Sequence, residues 1–289
     1  MVKYRSAQFE DIPQLCELMN RQYKIKKNPA YFIWQFFESV YPTSLLCAED
    51  KGKIIGMLGL QKKQLNSGQS CGQIIDMLIS PLYRGLGIFG KLIDKSLESI
   101  PDLDLICVLP NSNGKNAIIK QKGWQVIHKI DNLKLTKEPL INSNEDYSDK
   151  IFSFIYNEKI NNWRFHKHPY YNYKRIEHSD REYCYLKIFT NKQDETKKGD
   201  IVFVQENKIS YEILQKLILN GCKYLFQENI DSVNCWAIPN SMLYNSCISF
   251  GFTPEKQERY FCLRSLKYRD KDITLAKNWQ IYQADTEFF

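Results

Sequence analysis

The chain has 289 residues, more than one compact domain needs and enough for two of about 130–150 residues each. Hydrophobic residues at 43% beside 25% charged residues exclude a disordered polypeptide, and no run approaches the ~18 apolar residues of a membrane span. The formal charge of +7 favours anionic ligands, yet the basic residues are scattered, without the dense stripe that nucleic-acid binding uses.

Met1-Val2-Lys3-Tyr4-Arg5 lacks the apolar core of a secretory signal, so a cytoplasmic protein is expected, with neither membrane nor nucleic acid as partner. The nine cysteines stand singly and form no CxxC pair, which reads as buried apolar side chains in a reducing compartment. His166 and His168 have a ligand-like spacing but no Cys or carboxylate companion, so no metal is expected.

In chain order, residues 2–7 read as a strand, and Ile12, Leu15, Cys16, Met19 and Tyr23 fall at helical spacing after it. An aromatic segment around Trp34 precedes two strands, 44–48 and 53–61, joined by a turn in which Gly52 supplies a positive φ. A further strand at 73–79 runs into Pro81 and a Gly-rich turn. Ile88, Phe89, Leu92, Ile93, Leu97 and Ile100 mark a helix, followed by a strand at 103–108, a helix at 111–121 and a strand at 124–135. The fold class is mixed α/β. Polar residues 139–147 make a linker, dividing the chain into 1–138 and 148–289.

Beyond the linker the pattern repeats. Trp34-Gln35-Phe36 is echoed by Trp163-Arg164-Phe165, and Pro110-Asn111-Ser112 with Asn116 by Pro239-Asn240-Ser241 with Asn245, at one offset of 129 residues. Two independent motifs at a single offset point to a duplicated architecture.

Chemistry concentrates in Asp76-Met77-Leu78-Ile79-Ser80-Pro81-Leu82-Tyr83-Arg84-Gly85-Leu86-Gly87-Ile88-Phe89-Gly90. A strand ends, a tight turn follows, and glycines open a helix whose first amides have no intrahelical partner. With the helix dipole they form a cradle for a pyrophosphate, and Arg84 adds a permanent cation at its lip. A Rossmann loop would follow the first strand, with an acidic residue ~20 positions on; here the loop follows the fourth.

This segment resembles the acyl-CoA loop of the GNAT acyltransferase superfamily, Arg/Gln-x-x-Gly-x-Gly/Ala. Arg84 and Gly87 match, and Phe89 departs from the last position with Gly90 beside it. The resemblance implies two tandem GNAT folds, with acetyl-CoA or another short acyl-CoA bound by the first. It places the donor on Arg84, Gly85, Leu86, Gly87, Ile88, Phe89 and Gly90, on the backbone of Met77, Leu78 and Ile79, and near Asn111 and Asn116. Asn111 serves equally as a helix cap. The Tyr that superfamily members often carry after the fifth strand, as proton donor to the thiolate, is absent from Ile118-Ile119-Lys120-Gln121-Lys122.

The second half has no glycine in Gln205-Glu206-Asn207-Lys208, so it is expected to shape the acceptor pocket and not to bind CoA. The tandem arrangement, the Trp segments and the tail around Trp279 resemble bacterial N-acyltransferases of polysaccharide biosynthesis that act on nucleotide-linked amino sugars. That resemblance implies an amino-sugar nucleotide as acceptor and a monomer or small homo-oligomer. Asp76 is then the best-placed general base, or else a structural hydrogen-bonder at a strand end. Trp34, Trp163, Arg164 and Tyr171 are candidates for the acceptor site, with core anchors and surface ion pairing as their plainer roles. The competing functions are transfer to a peptide or amino-acid amine, and a catalytically silent CoA-binding scaffold.

Overall fold

A computed structural model describes residues 1–23, 26–139, 151–191, 195–205 and 210–286. The first half runs β1 (Lys3–Ser6), α1 (Ile12–Asn20), α2 (Pro29–Phe32), β2 (Thr43–Asp50), β3 (Lys53–Gln64), β4 (Ser70–Ile79), α3 (Ile88–Ser99), β5 (Leu105–Val108), α4 (Ser112–Ile118) and β6 (Gln125–Leu135). The second runs α5 (Glu158–Asn161), β7 (Tyr173–Ser179), β8 (Glu182–Thr190), β9 (Lys197–Gln205), α6 (Tyr211–Gln227), β10 (Ser232–Ala237), α7 (Met242–Ser249) and β11 (Thr253–Ser265). Most of the linker expected at 139–147, and Glu206, Asn207 and Lys208, lie outside the described residues.

Local chemistry accounts for these elements. The β2–β3 hairpin closes through Lys51 and Gly52, both at positive φ, as a two-residue turn matched to strand twist demands. In α1 the residues Ile12, Leu15, Cys16 and Met19 form one buried stripe, and in α3 Ile88, Leu92 and Ile93 do the same. All nine cysteines are buried and unbridged. No described helix is long and apolar enough to cross a membrane.

The strands form one continuous sheet in the order β1-β2-β3-β4-β5-β11-β6-β10-β9-β8-β7. Each half lends its last strand to the other: β11 lies against β5, and β6 lies against β10. The two exchanged strands also pair with one another, antiparallel. Backbone hydrogen bonding therefore runs unbroken across the centre of the molecule.

The repeat offset reappears as geometry. Asn28 and Asn157 cap α2 and α5 through their side chains, and each short helix continues into a wide π turn, Ile33–Phe37 and Asn162–His166. The turns set Trp34 and Trp163 face to face, ring centroids 4.6 Å apart and 12° from parallel. Each indole N–H donates to the other's backbone carbonyl, at 2.9 and 3.0 Å. This reciprocal pair, 3% and 4% exposed, joins the halves on one face of the sheet. The tail lies beside it: the Arg164 guanidinium donates to the carbonyls of Ala284 and Thr286, both at 3.0 Å.

Candidate active site

β4 pairs in parallel with β5 only from Cys71–Leu105 to Ile74–Val108, although β4 continues to Ile79. A bulge ends the pairing. Between Ile75 and Leu78 one extra residue is inserted relative to Met57–Gly59 on β3, and Asp76 within it has φ +45°. Bulges bend the strand that carries them, and here β4 swings off β5. An Asp tolerates this left-handed backbone better than most residues, at a cost of roughly 1 kcal/mol.

The gap opens into a cavity of about 1090 Å³ walled by Asp76, Met77, Leu78 and Ile79 on one side and Val108, Leu109 and Asn111 on the other. Its far end is the loop between β4 and α3, with Arg84, Gly85, Gly87, Ile88, Phe89 and Gly90 in the wall. Gly85 and Gly87 have φ of +81° and +74°, and a Cβ on either would meet nothing within 4 Å. The cradle is thus empty space bounded by backbone. The Lys91 amide donates to the Gly87 carbonyl at 3.3 Å, so those of Ile88, Phe89 and Gly90 stand ahead of the helical ladder. Arg84 is exposed, its guanidinium donating to the Ile79 carbonyl and the Gln22 side chain, both at 3.1 Å. These groups suit a diphosphate, and the separated strand edges suit the amides of pantetheine.

Asp76 is 5% exposed and reaches the cavity wall. Its Oδ2 accepts a hydrogen bond from the Tyr31 hydroxyl at 2.6 Å. Tyr31 is itself fully buried on α2, with the Lys27 ammonium 3.5 Å over its ring. Tyr170, from the second half, lies parallel to Tyr31 at 6.0 Å, and its hydroxyl both donates to Asn28 Oδ1 and accepts the Asn28 amide. The carboxylate at the bulge is therefore fixed by residues from both halves.

Other expected site residues fall elsewhere. Leu86 is in the loop but points to solvent, 65% exposed, and is absent from the cavity wall. Asn116 is exposed and also off the wall; on α4 and just beyond it the residues Asn113, Ala117, Lys120 and Gln121 face the cavity instead. Asn111 does both of its expected jobs, lining the wall and capping α4 by accepting the Gly114 amide at 2.9 Å.

The acceptor candidates need correction. Trp34 and Trp163 are sealed against each other and offer no free face to a sugar. Arg164 is 3% exposed and spends its guanidinium on the tail. It borders a pocket of about 10 Å³, with Lys63 and Asp285, too small for a substrate. Tyr171 is half-buried, stacked on His168 at 5.0 Å with Lys187 4.6 Å over its ring, away from the wall. Burial dominates the electrostatics here. It pushes the Asp285 carboxyl up, the Lys63 ammonium down, and His168 down to about 2.

Tyr31, Lys120 and Arg259 are wall or support residues that sequence reasoning missed. Tyr31 stands in the aromatic segment three residues before Trp34, which was its one visible signal. Nothing local marks Arg259, which arrives on the exchanged strand.

Residues 12–116 match the acetyltransferase (GNAT) family. Three solved structures share the fold. A candidate acetyltransferase from Pyrococcus horikoshii is 14% identical, covering 98% of this chain and 93% of its own, with a TM-score of 0.57. Saccharomyces cerevisiae N-myristoyltransferase with bound myristoyl-CoA is 10% identical over 93% and 83%, TM-score 0.59. A GCN5-related N-acetyltransferase from Kribbella flavida is 12% identical over 92% and 71%, TM-score 0.57. No curated protein matches the chain. The fold is that of the GNAT acyltransferases. The glycine-rich turn and the point where β4 leaves β5 both fall within the segment that matches this family.

Proposed function

We propose that this chain moves an acetyl or short hydroxyacyl group from acyl-CoA to the amine of a nucleotide-linked amino-deoxy sugar, by direct attack in a ternary complex. The observation that carries the transfer chemistry is the separation of β4 from β5 at the Asp76 bulge, which opens a cavity ending in a backbone cradle. In this reading residues 1–138 supply the donor site, and 148–289 shape the acceptor side and brace Tyr31 through Tyr170. The sugar assignment rests on the tandem layout and tail motif. The wall's charge agrees with it, since Arg84, Lys120 and Arg259 face a single carboxylate, Asp76.

Amide formation needs a neutral amine close to the thioester carbonyl, a donor for the developing oxyanion and an outlet for one proton. Asp76 takes the proton, and amides on the opened edge of β4 polarise the carbonyl. A thiolate leaves readily, so the absent Tyr after β5 does not stop turnover.

Purified protein with acetyl-CoA and a panel of amines (amino-sugar nucleotides, peptides, amino acids), followed by release of free thiol, tests this. Thiol release fastest with the amino-sugar nucleotide is expected; a preference for peptide or amino-acid amines overturns the acceptor, and no release with any amine overturns the transferase reading. Asp76→Asn is expected to lower kcat by about 100-fold or more. Tyr31→Phe, which unties the carboxylate, is expected to lower kcat about tenfold while CoA affinity stays unchanged.

A further inference from the structure

The small pocket at the junction of the halves is polar, and its charges do not balance. The first half lines it with Gln35 of the π turn, with Tyr41, and with Gln61 and Lys63 of β3; the second half adds Arg164 and the tail's Asp285. Ile75 is shared by this wall and that of the acyl-transfer cavity. The room inside, about 10 Å³, accepts one water-sized sphere.

Alternation along β3 turns Gln61 and Lys63 to the same side, and Lys63 is only 6% exposed. A lysine is almost never buried so deeply without a partner. Yet among the described residues its ammonium has no hydrogen bond and no ion pair; it stands 5.1 Å from the centre of the Tyr41 ring and 5.2 Å from that of Phe154. The one carboxylate on this wall among the described residues is already satisfied. Asp285 accepts the Tyr156 hydroxyl at 2.9 Å and the Tyr282 amide at 2.7 Å. Arg164 gives its fork to the Ala284 and Thr286 carbonyls and the Tyr173 hydroxyl, all of them uncharged. Two buried cations therefore share one carboxylate, an excess of one positive charge. The Tyr41 hydroxyl and the Gln35 side-chain amide, on the same wall, likewise have no hydrogen-bond partner among the described residues. The Gln61 amide is turned elsewhere, to the Gln35 carbonyl and the Ser39 hydroxyl.

We propose that this junction is a halide site, in which a chloride ion accepts hydrogen bonds from Lys63, Tyr41 and Gln35 and balances the excess charge. A monatomic anion suits the room, whereas a phosphate or a carboxylate is too large for it. A water molecule would satisfy the same donors but leave the charge uncompensated in a dry interior, where that is costly. Burial pushes the Tyr41 phenol up, so it stays a donor. Burial also pushes the Lys63 ammonium down, and an anion beside it favours the charged form. The site is independent of the acyl acceptor. Its donors come from the first half and the Arg164 charge from the second, so bound chloride holds the halves together beside the stacked tryptophans.

The test uses the full chain and bromide as the probe. Crystals soaked in sodium bromide are expected to show an anomalous peak inside this wall, within hydrogen-bond reach of Lys63 Nζ and absent from Lys63→Met. In solution, replacing gluconate by chloride at constant ionic strength should raise the wild-type Tm by about 2–4 °C along a saturating curve, and leave Lys63→Met unmoved. Methionine keeps the unbranched length and needs no partner, so this variant is expected to fold. Should it not fold, Tyr41→Phe removes one donor and is expected to lower the bromide occupancy and shift the chloride midpoint up several-fold. Density for water alone, density continuous with the polypeptide, or a peak retained in Lys63→Met overturns the halide assignment. An equal peak and an equal midpoint in Tyr41→Phe do the same. A peak with no chloride effect on stability marks an adventitious ion only, and overturns it as well.

Discussion

Gly87→Ala separates the cradle's role in binding from its backbone strain, because the fold supplies its own control. Gly87 and Gly52 have φ of +74° and +77°, and a Cβ on either meets nothing within 4 Å. Forcing alanine into that left-handed region costs about 1–2 kcal/mol at each site. Gly52 lies in the β2–β3 turn, outside the cavity wall, whereas Gly87 is part of that wall, where an added Cβ is expected to compete with a diphosphate for space. Displacing the anion from one backbone donor forfeits a charge-assisted hydrogen bond worth about 1.5–3 kcal/mol, or roughly 10- to 150-fold in affinity. Urea unfolding should therefore show similar losses for Gly52→Ala and Gly87→Ala, while calorimetry shows weakened CoA binding only in Gly87→Ala. Wild-type CoA affinity in Gly87→Ala, or equal weakening in Gly52→Ala, refutes the assignment of this helix start as the phosphate cradle.

The reciprocal tryptophans predict a symmetric result: Trp34→Phe and Trp163→Phe each leave a buried carbonyl without its donor and shrink a packed ring, costing about 2–4 kcal/mol by urea midpoint. Their coupling in a double-mutant cycle should reach about 0.5–1.5 kcal/mol, and strict additivity would show that the stack contributes nothing beyond area. His168 predicts a pH dependence. Its Nδ1 accepts the amides of Tyr170 and Tyr171, and burial foremost, then the positive charge of Arg164, Lys27 and Lys187, holds it neutral down to about 2. The unfolded chain takes up this proton below about 6.5, so stability is full above that pH and falls on acidification, by up to about 1.4 kcal/mol per pH unit. His168→Asn keeps an acceptor for the amides and should flatten that contribution between pH 6.5 and 5; an unchanged slope would exclude His168 as its source.

Where the sequence was informative, it was so because the relevant physics is local. Gly85, Gly87 and Gly90 after a strand ending at Pro81 specify a turn into a helix start, and the hairpin at Lys51-Gly52 needs only two residues at positive φ. The fixed offset of 129 residues likewise surfaced in matched caps, matched π turns and the stacked tryptophans. The acceptor candidates failed for the complementary reason. Trp, Arg and Tyr read equally well as ligand contacts or as buried anchors, and only three-dimensional packing tells which carbonyl or ring each meets. Arg164 is the clearest case, since its partners Ala284 and Thr286 lie 120 and 122 residues away.

The amino-acid sequence alone determined the α/β class, the glycine-rich turn into a helix, the carboxylate near the end of β4 and the doubling of the pattern, all of which rest on short-range periodicity and backbone freedom. The tertiary structure alone decided that the last strands are exchanged, that Tyr31 holds Asp76, and that Arg259 enters a cavity built almost wholly by the other half. Strand pairing and side-chain contacts join residues more than a hundred positions apart, and their choice depends on summed burial across the whole sheet, which no window of sequence contains.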